Sequence, residues 1–324
     1  MTSSDQVSTG PATEGSVLTP AQQETLGLIR LPADQRTTYE STLRHELHAA
    51  LEAATQDLVG LIDEPLWISK RQLQAVNGCE ASYEAQQAEP FEWRVPMTRG
   101  QIFHKCVELS IHLFPKRTAS ELVDEALSSI MNRGDGLADF LFGLTEVERA
   151  EIRSDVSSLL QTFFDTFPPL KNAWGPTTEL PRKVVLHQGK VVFQGRFDLT
   201  IGHPSELTAG RVLLELKTGS AVPHHLDDLR FYALLETLVV GVPPALLASF
   251  YVDAGRVQVE HVDEETVRSA LRRASDAAER LLQLRLEKTQ PSVRPNASCR
   301  WCPIANQCKP GQTWLEEAND GSAW

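Results

Sequence analysis

Apolar positions along this chain change their period near residue 176. Before that point they recur every three or four residues, the spacing of one helix face. After it, short runs alternate or turn wholly apolar, as in half-buried and buried strands. Thr19-Pro20 reads as an N-cap followed by proline at the first helical position. Leu43, Leu47, Leu51 and Ala54 carry the helical pattern on to about Leu61. Ser69 is placed to cap a short helix bearing Leu73 and Val76, which Gly78 ends just before Cys79. Three further helices open on capping-box patterns at Thr98…Gln101, Thr118…Glu121 and Thr145…Glu148. A glycine-rich piece over 132–139 separates the second from the third.

Beyond Pro176 the segment KVVLHQGKVVFQGRFDLTI predicts a hairpin turning at Gln188-Gly189, and RVLLELKTG predicts a third strand. An amphipathic helix follows, with Leu226, Leu229, Tyr232, Ala233 and Glu236 at helical spacing, and His224 and His225 fall in the loop ahead of it. A second hairpin turns over 253–256, and Asp263 caps a long helix running to Leu286. The expected organisation is a disordered Ser/Thr/Gly-rich tail (1–18) and an acidic helical extension (19–64). One α/β domain then spans 65–310, with a helical part over 65–175, a sheet core over 176–290 and a cysteine triplet over 299–308. A tail covers 311–324.

Composition narrows the classes. No apolar run reaches the length of a membrane span and no basic-then-apolar leader is present, so a cytoplasmic protein with no membrane partner is expected. The net charge of −12 disfavours a general nucleic-acid coat, but half of the excess lies in residues 1–70. Arg99, Lys105, Arg182, Lys183, Arg196, Lys217, Arg230, Arg272 and Arg273 leave room for a local basic groove.

Candidate chemistry gathers between Gly195 and Gly219. Glu215 and Lys217 share one face of a strand, and pairing with the preceding strand brings Asp198 to the same place. Two carboxylates beside an ammonium suit a hard divalent cation and a phosphodiester. His104, one turn after Gly100, offers an imidazole on a helix surface that a phosphate or metal approaches closely. Tyr232, with Asp228 one turn earlier, follows on the next helix. Of five cysteines, Cys299, Cys302 and Cys308 form C-x2-C-P-x4-C, and Cys79 is the natural fourth ligand. Cys106 reads as a buried thiol. Four thiolates accept either a [4Fe–4S] cluster or Zn²⁺.

In this order the motifs resemble the RecB-type branch of the PD-(D/E)xK nuclease superfamily. The likeness extends to its iron–sulfur subgroup, which holds Cas4, the AddB nuclease domain, exonuclease V and Dna2. The matching features are Ser69, Leu73 and Cys79, then Gly100 and His104, Glu179, Gly195–Asp198, Glu215–Lys217, Tyr232 and the cysteine triplet. The resemblance implies a restriction-endonuclease-like mixed β-sheet flanked by helices. It further implies Mg²⁺ or Mn²⁺ held by His104, Asp198, Glu215 and the Leu216 carbonyl, with Lys217 acting on the attacking water. Cys79, Cys299, Cys302 and Cys308 would hold a structural [4Fe–4S] cluster. Tyr232, Asp228 and Gly100 would position substrate, although Asp228 stands where the family carries glutamine. The implied activity is exonuclease or endonuclease action on single-stranded DNA or DNA ends, in repair, CRISPR adaptation or phage defence. No G-x4-G-K-[ST] loop occurs, so unwinding would fall to a helicase partner. The alternative is a nuclease-derived DNA-binding or scaffold subunit of a larger complex.

Overall fold

A computed structural model describes residues 17–113, 116–219 and 224–320. Residues 1–16 of the expected disordered tail, and the last four of the C-terminal tail, lie outside the described residues. Among the described residues six strands form one mixed sheet: β1 (Leu66–Ile68), β2 (Thr177–Leu186), β3 (Val191–Ile201), β4 (Val212–Lys217), β5 (Leu246–Tyr251) and β6 (Arg256–His261). β3 is the spine. β2 runs antiparallel along its whole length, while β1 pairs parallel with its start and β4 antiparallel with its end. β5 joins β4 in parallel, and β6 closes the edge as the second strand of the hairpin.

Both faces of the sheet are covered, so β4 and β5 read as nearly continuous apolar runs. On one face lie α2 (Leu43–Val59), α3 (Lys70–Gly78), α9 (His224–Val240) and α10 (Glu264–Arg285). They share a core with Phe193, Phe197, Leu213 and Leu247. On the other lie α5 (Val95–His112), α6 (Ala119–Met131), α7 (Gly136–Gly143) and α8 (Glu146–Thr166), packed on Leu199, Leu214, Leu216 and Phe250. The chain is thus α/β, a mixed central sheet flanked by helices, as expected. Both hairpins, α10 with its Asp263 cap, and the Ser69 start of α3 lie where the pattern put them.

Several expectations are corrected. The pattern from Thr19 to Leu61 is two helices, α1 (Pro20–Ile29) and α2, because Pro32 interrupts it and residues 37–39 clasp the loop at 207–209. Leu43, Leu47 and Leu51 of α2 belong to the same core as α9 and α10, and Tyr39 donates to the Val262 carbonyl at 2.8 Å. Thr98 does not cap a helix. Pro96 allows α5 to start at Val95, and Thr98 is buried in its first turn. The glycine-rich piece at 132–139 holds the start of α7, capped by Asp135. His224 and His225 belong to α9 rather than to a loop. Two short elements had no sequence signal: β1, and α4 (Glu80–Gln87) directly after Cys79. Part of the expected C-terminal tail forms α11 (Lys309–Asn319).

Candidate active site

The end of β4 is where side chains of opposite charge converge. The last assigned pairs between β3 and β4 run from Ile201↔Val212 to Leu199↔Leu214, so Asp198 and Glu215 are the next partners in register. Asp198 Oδ2 accepts from the Leu216 N–H at 2.8 Å, which fixes the carboxylate against the end of the strand. Glu215 and Lys217, two residues apart, share a face, and their Oε1 and Nζ atoms lie 2.8 Å apart.

His104 reaches the same point from α5. Its Nε2 lies 3.1 Å from the Leu216 carbonyl, and its Nδ1 lies 3.5 Å from both Glu179 Oε1 and Asp198 Oδ1. Glu179 occupies the β2 position between the Thr178↔Leu199 and Leu180↔Phe197 pairs, facing Asp198, at a φ of 51°. That left-handed backbone is uncommon for a residue with a side chain and marks a locally strained strand. Among the described residues, His104, Glu179 and Asp198 form the trio whose ligand atoms all fall within 4.8 Å of one another. Lys70, Gln101, Thr218, Gly219 and His225 complete the walls of a cleft of about 380 Å³ around this centre.

Burial and opposed charges set the protonation states. Burial raises the Asp198 carboxyl, and the neighbouring Glu215 charge adds to this, to about 6. Burial would raise Glu215 too, but Lys70 and Lys217 override it and hold it at about 2. Burial disfavours a charged His104, yet Asp198 and Glu179 keep it protonated up to about 9. Glu215 Oε2 is buried without a hydrogen-bond partner among the described residues. An orphaned carboxylate oxygen in this setting is costly unless a cation meets it. The donor set of hard oxygens plus one imidazole fits a divalent ion.

The other candidates separate. Tyr232 is buried, with its ring 4.8 Å from Phe197 and 5.0 Å from the Lys70 ammonium. A side chain at Gly195 would meet Tyr232 at 2.7 Å, so the glycine before Arg196 exists to admit that ring. Asp228 is buried and takes a hydrogen bond from the Gln74 amide of α3, and burial pushes its carboxyl up to about 6. The space beside Gly100 is met by the Thr218 hydroxyl, at 3.3 Å from where a Cβ would stand. The glycine therefore serves the approach of α5 to the end of β4. Glu236, one turn after Tyr232, is buried between Arg182 and Arg211, and its Oε2 lies 2.6 Å from Arg182 Nε. This bridge pins α9 to β2 and to the start of β4.

Much of the expected basic groove is already neutralised, since Lys105, Arg182, Arg230, Arg272 and Arg273 all meet carboxylates. Sequence reasoning did not assign Lys70, Gln101 or His225 to the site, although Lys70 directly follows Ser69 and Gln101 lies between Gly100 and His104. His225 Nδ1 lies 3.2 Å from the Tyr251 hydroxyl.

Cys79, Cys299, Cys302 and Cys308 line one cavity of about 780 Å³ between α3, α4 and the C-terminal segment. Backbone N–H groups of Arg294 and Asn296 point at Cys79 Sγ (3.5 Å) and Cys299 Sγ (3.4 Å). A Cβ on Gly311 would stand 3.3 Å from Cys308 Sγ and 3.4 Å from Cys299 Sγ, so the glycine keeps the cavity open. Cys106 is buried elsewhere, and burial pushes its thiol up to about 12.

A sequence model of the PD-(D/E)XK nuclease superfamily matches residues 68–309. The chain belongs to that superfamily. Two solved structures are also similar. One, from Eubacterium rectale, is titled "Putative exonuclease"; it is 10% identical, with 86% of this chain and 93% of that one covered and a TM-score of 0.42. The other, titled SSO0001, is 16% identical, with 82% and 97% covered and a TM-score of 0.33. A search of curated proteins returned no match. As a PD-(D/E)XK member the chain is a nuclease, and no described helix is long and apolar enough to cross a membrane.

Proposed function

We propose that this nuclease hydrolyses DNA with a divalent cation, Mg²⁺ or Mn²⁺, held by His104, Asp198, Glu215 and the Leu216 carbonyl, with Glu179 beside them. The observation that carries the reading is the convergence of Asp198, Glu215, Lys217 and His104 on one open cleft around an unpartnered carboxylate oxygen. A bound divalent ion supplies an acidified water and neutralises charge on the phosphate. The protein's part is positional. Leu216 N–H fixes Asp198, and Lys217 donates to the attacking water from its place beside Glu215. His104, in its neutral form, would offer a nitrogen ligand to the ion.

The four cysteines support placement in the iron–sulfur, RecB-type branch. Zinc bonded at about 2.3 Å would draw four sulfurs to within roughly 4 Å of one another. A [4Fe–4S] cluster holds its thiolates farther apart, and the resemblance to the iron–sulfur branch favours it here. Such a cluster would tie Cys79 to the C-terminal segment. The substrate is single-stranded DNA or DNA ends, reached with a helicase partner or where a strand is already exposed. The setting is repair, CRISPR adaptation or phage defence.

Labelled single-stranded DNA incubated with Mn²⁺ tests the enzyme reading. Wild-type protein degrades it, and Asp198→Ala and Lys217→Ala, with circular dichroism intact, do not. Equal behaviour of all three proteins would end the catalytic assignment. Visible absorption and iron content separate the cluster from zinc.

A further inference from the structure

Lys70 is the first residue of α3, the end of a helix where a cation is disfavoured by the helix dipole. It is nonetheless held firmly. β1 pairs with β3 immediately upstream, and the Gln72 side chain accepts from both the N–H and the hydroxyl of Ser69 at 2.8 Å. The ammonium contacts Glu215 Oε1, the oxygen already bonded to Lys217, and lies over the Tyr232 ring. One turn on, Gln74 bonds Asp228, itself one turn before Tyr232. Two turns of α3 thus face two turns of α9, and together they aim one cation at the cleft.

Simple neutralisation of Glu215 does not require this. Lys217 supplies a full charge to the same oxygen, and a second desolvated lysine at a helix N-terminus costs stability. Across the cleft the Glu215 carboxylate is shared by the Lys70 and Lys217 ammonium groups, with Lys217 Nζ 2.8 Å from its Oε1. A dication engaging Asp198 and Glu215 leaves an ammonium in excess. The Lys70 side chain, 28% exposed, is placed to move towards an incoming anion.

Resting on the nuclease reading above, we propose that Lys70 is a second catalytic lysine. When a cation engages Glu215, the Lys70 ammonium moves from Oε1 to a non-bridging oxygen of the scissile phosphate and stabilises its developing charge. No covalent bond or proton changes hands in this move. Gln74 and Asp228 are positioning residues that hold α3 against α9.

The test uses the full chain with Lys70→Met, Lys70→Gln and Lys70→Arg. Three readouts apply: Mn²⁺-dependent cleavage of a single-stranded oligonucleotide, Mn²⁺ affinity by calorimetry, and the thermal midpoint. Expected for Met and Gln is a loss of about 100-fold in kcat/KM, carried mainly by kcat, with Mn²⁺ bound as tightly as wild type or a few-fold tighter. Arginine restores cleavage to within about tenfold of wild type. Cleavage by Lys70→Met within about threefold of wild type overturns the proposal. So does a tenfold loss of Mn²⁺ affinity in Met and Gln alike, because Lys70 would then merely hold Glu215 in place. Wild-type protein that binds Mn²⁺ but cleaves nothing sinks the nuclease reading itself, and the phosphate role of Lys70 with it.

Discussion

Metal binding at the end of β4 should release a proton, and the cause is His104. Asp198 and Glu179 stand 3.5 Å from its Nδ1 and hold the imidazole protonated to about pH 9, against the burial that opposes this. A protonated ring has no lone pair to offer, so cation and proton compete for the same nitrogens. The sign follows. Raising the pH towards 9 removes the competitor and tightens binding, and lowering it weakens binding. At pH 7 about one ring in a hundred is neutral, which costs roughly 3 kcal/mol of apparent affinity. Between pH 6.5 and 8.5 the Mn²⁺ dissociation constant should fall about tenfold per unit, roughly 100-fold in all. Anaerobic calorimetry in buffers of different ionisation enthalpy measures both the slope and the protons released. Nearer pH 6 Asp198 joins the competition and the slope steepens, since burial and Glu215 lift its carboxyl to about 6. His104→Asn should bind more weakly at pH 8.5 and lose the dependence above pH 7. A wild-type dissociation constant that stays flat across the window, or a variant that keeps the slope, would refute the assignment of His104 as a ligand.

Gly195→Ala forces a Cβ to 2.7 Å from Tyr232 and 2.9 Å from Leu235, so urea unfolding should show a loss of about 1–3 kcal/mol. Glu80 is buried against Arg280 and accepts from the Ser292 N–H at 2.8 Å, and the Arg280 hydrogen bonds hold its carboxyl at about 2 against an ordinary 4.5. The folded value is depressed, so this contribution, on the order of 3 kcal/mol, is present above pH 4.5 and is lost as pH falls towards 2. Glu80→Gln should unfold more readily at pH 7 and show a shallower acid limb. Cys302→Ser should purify with reduced iron and visible absorption, and limited proteolysis should then cut the segment after Pro291 faster than in wild type. Retained iron in that variant would remove Cys302 from the ligand set.

Periodicity and turn chemistry made much of the fold legible in the linear chain. The β2–β3 hairpin, the short β4 and the Asp263-capped α10 depend on contacts between near neighbours, so local sequence specifies them. Asp198, Glu215 and Lys217 were legible for the same reason, since a strand's two-residue period and one antiparallel pairing bring them together. What escaped was written in long-range contacts. β1 has three residues and exists because Val191–Phe193 offer it a free edge. α5 begins at Val95 because a proline is tolerated in a first turn, which leaves Thr98 inside the helix and buried. Lys70 and His225 enter the cleft because α3 and α9 pack on the same sheet face. Glu179, at a strained position inside β2, meets His104 of α5 only through tertiary packing. Local patterns fix the elements because their energetics are decided within a few residues. The roles of Lys70, Glu179 and Asp228 came from tertiary packing, since burial and the charge of a distant neighbour have no counterpart in the linear order.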